Sequence, residues 1–260
     1  MEYSAEAIRR LLPAGHTAPV CYYDELDSTN IAARRLAQEG APHGTAVVAD
    51  RQTAGRGRLG RSFFSPGGAG VYLSMVLRPG LSAADTALVT PAAAVATTRA
   101  ILRAAGVPVG IKWVNDLYYV GKKLCGILAE APFGTDGKPE FVVIGIGINV
   151  LDASFPPEVS DVATSLEAAG AGETGRAALA AAIIEEMLAL CDGLAGRSFL
   201  AEYRAHSCVL DRPVTLVRGE ERRKAFAVGI DDDARLLVRF PDGSAGAIGA
   251  GEISLRGDFT

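Results

Sequence analysis

A pattern of long helical segments interleaved with strands gives way, at about Arg212, to four short stretches: "PVTLVRG", "RKAFAVGID", "ARLLVRF" and "AIGAGEISLR". Asp/Gly turns separate them at ordinary hairpin spacing, which predicts a small β-barrel of about 50 residues. Upstream, strands come in runs and long helices are grouped between them, the mark of an α+β architecture. A chain of 260 residues has room for one substantial core and such an appendage. The expected division is a first domain over 1–209 and a second over 210–260.

Nearly half the residues are apolar, yet no apolar run reaches the roughly 18 residues that a membrane-spanning helix needs. A soluble protein with no membrane partner is expected. The opening "MEYSAEAIRRLLPAG" starts acidic and lacks a basic region followed by an apolar one, so it does not read as a secretory signal, and the cytoplasm is the default location. Cys21, Cys125, Cys191 and Cys208 show no C-x-x-C pairing and His16, His43 and His206 lie far from them in sequence, so no protein-held metal is expected. The net charge of −4 argues against a general nucleic-acid binder while leaving room for a local basic loop.

Along the chain, "AEAIRRLL" predicts a short helix and "PVCYYDEL" a strand. Ser28 or Thr29 can N-cap "NIAARRLAQE", with Gly40 as its stop. "GTAVVAD" and "GVYLSMVLRP" read as strands joined by the loop "QTAGRGRLGRSFFSPGG". Residues 84–105 are helical in composition, with Pro91 at a start or a kink and Gly106 at the stop. "VGIKWVNDLYYVGKKLCGILAEA" predicts two strands turning near "VGKK", and "EFVVIGIGINV" a third, paired as a meander. "RAALAAAIIEEMLALCDGL" predicts an amphipathic helix and "SFLAEYRAHS" another.

The loop at 52–68 contains "GRGRLG", a literal match to the dinucleotide pattern. The next residues, "RSFFSPGGAG", cannot start a helix, and no acidic residue lies about 20 positions on, so the fingerprint fails. Physically, Gly55, Gly57 and Gly60 allow the backbone to turn several N–H groups toward an anion, and Arg56, Arg58 and Arg61 add planar, permanently charged donors suited to carboxylate or phosphate. The bland alternative is a solvated basic turn. A second group, Lys112, Asn115, Asp116 and Lys123, falls on adjoining strands and turns; Lys123 opens an apolar strand, where it is either a fixed positive charge or a solvated end. Trp113 reads as core or interface. In "DSTN" the hydroxyls are either an N-cap or donors and acceptors for a small ligand that carries a carbonyl beside N–H groups.

In combination, "DSTN", "QTAGRGRLGRSFFSP", "VYLSM", "KWVNDLYYVGKKLCGIL", "VIGIGINV" and the terminal "GEISLR" resemble the biotin–protein ligases, in order, from about residue 24 to 256. The resemblance implies a mixed and antiparallel sheet packed against helices, like the class II synthetases, followed by an SH3-like barrel. It implies biotin and ATP as substrates, Mg2+ accompanying ATP, a biotinyl-5′-adenylate intermediate, and transfer to a lysine of a biotin carboxyl carrier domain. Carried over by position, Ser28, Thr29, Asn30 and Gln52 would hold the ureido ring. Gly55, Arg56, Gly57 and Arg58 would enclose the carboxylate and the adenylate phosphate, Lys123 would stand beside the reacting groups, and Gly126 would let backbone approach. Lys123, Arg58 and Arg56 are the catalytic candidates. Arg58, Arg61, Phe63, Lys112, Asn115, Asp116, Gly145, Ile148 and Asn149 would serve the nucleotide or its magnesium, with Phe155-Pro156-Pro157 folding over the adenine.

Three departures from the family pattern stand out. Phe63 occupies a position that is often tryptophan, losing an indole N–H. Val114 replaces a proline, which should loosen that turn. About two dozen residues precede "DSTN", too few for the DNA-reading domain of bifunctional members, so the ligase-only form without nucleic-acid binding is expected. The alternatives are a lipoate or octanoate ligase or transferase, which needs no ureido-binding set, and a non-catalytic biotin-responsive regulator. A homodimer through an exposed sheet edge is open, as is the choice for "GAGEISLR" between touching ATP or carrier and completing the barrel.

Overall fold

The computed structural model describes residues 2–78, 80, 82, 85–134, 138–153, 155–249 and 252–255. In chain order it runs α1 (Ala5–Leu11), β1 (Val20–Leu26), α2 (Thr29–Gln38), β2 (Ala46–Gln52), β3 (Gly70–Leu77) and α3 (Val89–Ala105). The strands β4 (Gly110–Lys112), β5 (Asp116–Tyr119), β6 (Lys122–Glu130) and β7 (Val142–Asn149) come next, then α4 (Pro157–Ser160), α5 (Arg176–Cys191) and α6 (Phe199–Ala205). The chain closes with β8 (Arg212–Arg218), β9 (Glu221–Ile230), β10 (Leu236–Arg239), β11 (Ala245–Ile248) and β12 (Glu252–Leu255).

A seven-stranded sheet has the order β1-β2-β3-β7-β6-β5-β4. β1 and β2 are parallel, joined through α2 as parallel neighbours require. β2 and β3 are antiparallel, joined by the arginine loop, and β4 to β7 form the expected meander. The stretch expected to hold two strands holds three: "GIK" makes β4, because "WVND" turns the chain a second time. The last five strands form an antiparallel sheet of order β11-β10-β9-β8-β12, consistent with an SH3-like fold. Here "AIGAGEISLR", expected as one strand, is divided into β11 and β12 at opposite edges of that sheet.

Period-two alternation gives the large sheet two different faces. One presents Leu73, Met75, Ile144, Ile146 and Ile127, all essentially buried, to α3 and α5. Each such side chain contributes about 1.5–3 kcal/mol. α3 is built for this role: Pro91 sits in its first turn, where a missing N–H costs nothing, and Gly106 closes it in the left-handed region at φ 69° with its N–H on Leu102 O. α5 departs from the amphipathic expectation. It is buried on almost every side, because α3 flanks it, β3 lies beneath it and α1 covers its outer side. Its polar exceptions, Glu185 and Glu186, meet Arg103 and Arg99 of α3.

The opposite face is divided. At one end α2 lays Ala32, Ala33 and Ala37 over Val47, Val76 and Val143. α2 stops at Thr29, and beyond that point the same face carries Gly145, Gly147 and Gly126 between the larger side chains. That change creates the cleft.

Candidate active site

Two rows of register partners cross β3, β7 and β6 on the divided face: Ser74, Gly145 and Leu128, then Tyr72, Gly147 and Gly126. The glycines let other groups lie flat on the sheet. A Cβ on Gly145 would overlap Oδ1 of Asn30, and one on Gly147 would come within 2.6 Å of the Phe63 ring. The Phe63 ring thus rests across the second row, edge-on to Tyr72 at 6.4 Å between centroids.

A buried polar chain forms one end of the cleft. Asn30 donates through Nδ2 to Glu130 Oε2 at 2.8 Å, while its Oδ1 lies 2.6 Å from Ser74 Oγ. Ser74 Oγ is 2.8 Å from Thr29 Oγ1, and Gln52 Oε1 accepts from the Thr29 backbone N–H at 2.8 Å. Gln52 Nε2 donates to Ser65 Oγ at 2.9 Å, which in turn donates to Phe63 O. Ser28 stands at the N-cap position of α2 but makes no capping bond, so its buried hydroxyl keeps its hydrogen-bonding capacity.

The arginine loop is a hairpin closed by nested backbone bonds: Gln52 N to Ser65 O, Phe63 N to Gly55 O at 2.8 Å, and Gly57 N to Arg61 O at 2.7 Å. Its tip turns through Leu59 (φ 56°) and Gly60 (φ 76°). Three of its N–H groups, those of Gly57, Arg61 and Phe63, are spent on the hairpin itself. The side chains are what reach the cleft. Arg56 Nη1 lies 3.1 Å from Glu130 Oε1, Arg58 Nη1 donates to Asn115 Oδ1 at 2.9 Å, and Lys123 Nζ lies 2.8 Å from Asp116 Oδ1. Each of these three cations is therefore steadied by a protein oxygen. Among the described residues the cleft wall carries Arg56, Arg58, Arg61, Lys112 and Lys123 against the carboxylate of Asp116, with that of Glu130 behind Arg56. Such an excess favours an anionic ligand.

The turn from Trp113 to Asp116 faces the hairpin. Four bonds hold it: Trp113 Nε1 donates to Ala234 O, Tyr203 Oη to Val114 O, Asn115 Nδ2 to Ile127 O, and Ile127 N to Asn115 O, all within 3.0 Å. Lys123 is likewise fixed through its backbone, whose N–H and C=O bond to Val162 O and Thr164 N. Burial pushes the Cys125 thiol far up, so it stays protonated and is no nucleophile.

Two family models match the chain: the Biotin/lipoate A/B protein ligase family over residues 22–149 and the Biotin protein ligase C terminal domain over 209–256. The bifunctional ligase/repressor BirA of Bacillus subtilis is 39% identical over 232 residues, covering 85% of this chain and 70% of that one. The biotin–[acetyl-CoA-carboxylase] ligase of Paracoccus denitrificans is 33% identical over 228 residues, 84% of this chain and 92% of that one. Biotin protein ligase from Aquifex aeolicus, solved in complex with biotin and ATP, superposes with a TM-score of 0.76 at 30% identity, covering 92% and 98%. The chain belongs to the biotin protein ligase family.

Most of the expected site residues of this ligase meet around one cleft: Ser28, Thr29, Asn30, Gln52, Arg56, Gly57, Arg58, Arg61, Phe63, Lys112, Asn115, Asp116, Lys123, Gly126 and Gly145. Three do not line it. Gly55 lies at the hairpin base, where its missing side chain admits the Phe63 carbonyl. Ile148 points into the core on the other face, since alternation sets it opposite Gly147. Asn149 donates its side-chain amide to Thr164 O. Phe155, expected over the adenine, packs edge-on against Phe64 instead, outside the cleft wall. Sequence reasoning overlooked Ser74, Ser65 and Glu130. A serine inside the otherwise apolar "VYLSMVL" was the available sign, because a buried hydroxyl demands a partner. From the second sheet, Ile253 of β12 both completes that sheet and reaches the cleft wall.

Gly55→Ala should open the hairpin, since a Cβ there would strike the Phe63 carbonyl and stand 2.7 Å from Ser65 Oγ. Limited trypsin digestion should cut after Arg56 or Arg58 roughly tenfold faster than in the parent, as local opening exposes the loop. An unchanged cutting rate would disprove this account of the loop's closure.

Proposed function

We propose that the cleft activates biotin with ATP and passes the biotinyl group to a lysine of a biotin carboxyl carrier domain. The observation that carries this reading is the juxtaposition of a polar ring pocket, Ser28 to Asn30 with Gln52, and a cationic stretch, Arg56, Arg58 and Lys123, along one glycine floor.

In the first step a biotin carboxylate oxygen attacks the α-phosphorus of ATP, and the bond to pyrophosphate breaks. Both partners are anionic, so Lys123, Arg58 and Arg56 lower the barrier by neutralising them and holding them in line. Their own oxygen partners keep them oriented before substrate enters. Asp116, with Asn115 beside it, is the carboxylate on the cleft wall that would help hold the Mg2+ accompanying ATP, an ion that would neutralise phosphate charge there. The arginine hairpin shields the adenylate from water. In the second step the carrier lysine attacks the biotinyl carbonyl carbon, AMP leaves with the bonding electrons, and the amine loses a proton.

Residues 210–260 are proposed as a C-terminal domain that shares the core of the large sheet and contributes Ile253 to the wall. The cytoplasm is the proposed location; among the described residues, no helix is long and apolar enough to cross a membrane.

ATP–pyrophosphate exchange measured separately with biotin, lipoate and octanoate tests the reading. Exchange should depend on biotin, and the acyl-adenylate should have the mass of biotinyl-AMP. Exchange supported by lipoate alone would overturn it, since the ring pocket has hydrogen-bonding groups that lipoate leaves unpaired.

A further inference from the structure

Ser74 is fully buried in the middle of β3, and no step of the adenylation or the transfer touches it. Its surroundings nevertheless dictate the direction of every proton near it. The amide of Asn30 can face only one way, because Glu130 Oε2 at 2.8 Å and Leu128 O at 3.4 Å are both pure acceptors and must meet its nitrogen. Asn30 Oδ1 therefore faces Ser74 at 2.6 Å, and Ser74 must donate there.

A hydroxyl has a single proton. With it committed to Asn30, Ser74 offers only lone pairs to Thr29 Oγ1 at 2.8 Å, so the Thr29 proton is drawn inward. The same hydroxyl has a second neighbour in Gln52 Oε1 at 3.1 Å, which also can only accept, because Gln52 Nε2 is engaged with Ser65. By either route the Thr29 proton stays within the network. Thr29 is one of the residues lining the cleft, and its Oγ1 has only lone pairs left to offer there.

We propose that Ser74 is a specificity-determining positioning residue: acting through Glu130, Asn30 and its own hydroxyl, it makes Thr29 a one-way acceptor that takes a ligand N–H and rejects a ligand oxygen at that point. The inference rests on biotin being the ligand. It adds to that reading an origin for ring selectivity that lies one layer beneath the residues touching the ring. Without Ser74 the Thr29 proton loses its 2.8 Å partner and keeps only Gln52 Oε1 at 3.1 Å, an oxygen already occupied by the Thr29 backbone N–H, so the proton turns into the cleft more readily and the discrimination between donor and acceptor falls.

The test is a cycle in ATP–pyrophosphate exchange using the full chain and Ser74→Ala. The substrates are biotin and its two cyclic carbamate isosteres, in each of which one ring N–H is replaced by oxygen. The isosteres keep the shape of the ring, so only the donor is exchanged for an acceptor. In the parent, one isostere should be strongly disfavoured in kcat/KM. In Ser74→Ala the biotin KM should rise with kcat within about twofold, and the penalty for that isostere should shrink by roughly tenfold, the scale of one buried hydrogen bond. Thermal melts of both proteins report packing separately, since a merely structural loss would weaken biotin and both isosteres alike. Equal penalties in parent and variant would overturn the proposal, as would a fall in kcat at unchanged KM. Absence of biotin-dependent exchange in the parent is a different failure, that of the activity itself, and the inference falls with it.

Discussion

Lys123→Ala should lower biotin-dependent ATP–pyrophosphate exchange by at least about a hundredfold, the usual scale for deleting one preorganised charge from a reacting site. The melting temperature should stay close to that of the parent. The ammonium is about a third exposed and its link to Asp116 is a single 2.8 Å contact, so removing it costs at most about 1 kcal/mol of stability. What the residue supplies is position. Its Nζ and Cε stand 3.2 Å from where a side chain on Gly126 would begin, its ammonium is held by Asp116, and its backbone is gripped by the segment around Val162 and Thr164. Lys123→Arg keeps the charge but changes its reach and shape, and should recover only part of the loss. Parental exchange rates in Lys123→Ala would remove this residue from the reaction.

Gly145→Ala is the second large effect, and it acts through a neighbour. The new methyl would occupy the place of the Asn30 amide oxygen. Asn30 must then leave the floor of the cleft, taking with it its bonds to Ser74 and Glu130. Overpacking of this kind costs about 1–3 kcal/mol of stability. Biotin affinity, read by calorimetry, should fall about a hundredfold, because Thr29 and Gln52 lose the frame that aligns them. Adding Asn30→Ala to Gly145→Ala relieves the overlap, so the melting temperature should recover while biotin affinity does not. Such non-additivity is expected of residues in contact. Parental biotin affinity in Gly145→Ala would refute the close-approach account of this glycine.

The residues that carry charge or unusual backbone freedom were legible because their types are few: three arginines among glycines, a lysine opening an apolar strand, hydroxyls before a helix. What they are bonded to was not legible. Glu130 and Asn30 are 100 positions apart, and Gln52 and Thr29 are 23 apart; no local spacing encodes those meetings. The arginine loop illustrates the same limit. Its glycines pointed to an unusual backbone, but nothing local showed that the N–H groups of Gly57, Arg61 and Phe63 would bond to carbonyls of the loop itself. At Val114 the tie that holds the turn comes from Tyr203, far along the chain. α5 misled for a related reason: its composition shows which residues avoid water but not that α1 arrives to cover its outer side.

The hydrophobic core continues without a break from the large sheet into the small one, taking in Val214, Ala227, Leu236 and Ile253. Trp113 is bonded to Ala234 across that seam, and Arg204 to Ile230. A seam this apolar is a weld, not a hinge. Heat should therefore find one cooperative unit in which neither sheet melts first, and a chain cut near residue 209 would carry a raw apolar scar beside the very turn that holds Asn115 and Asp116.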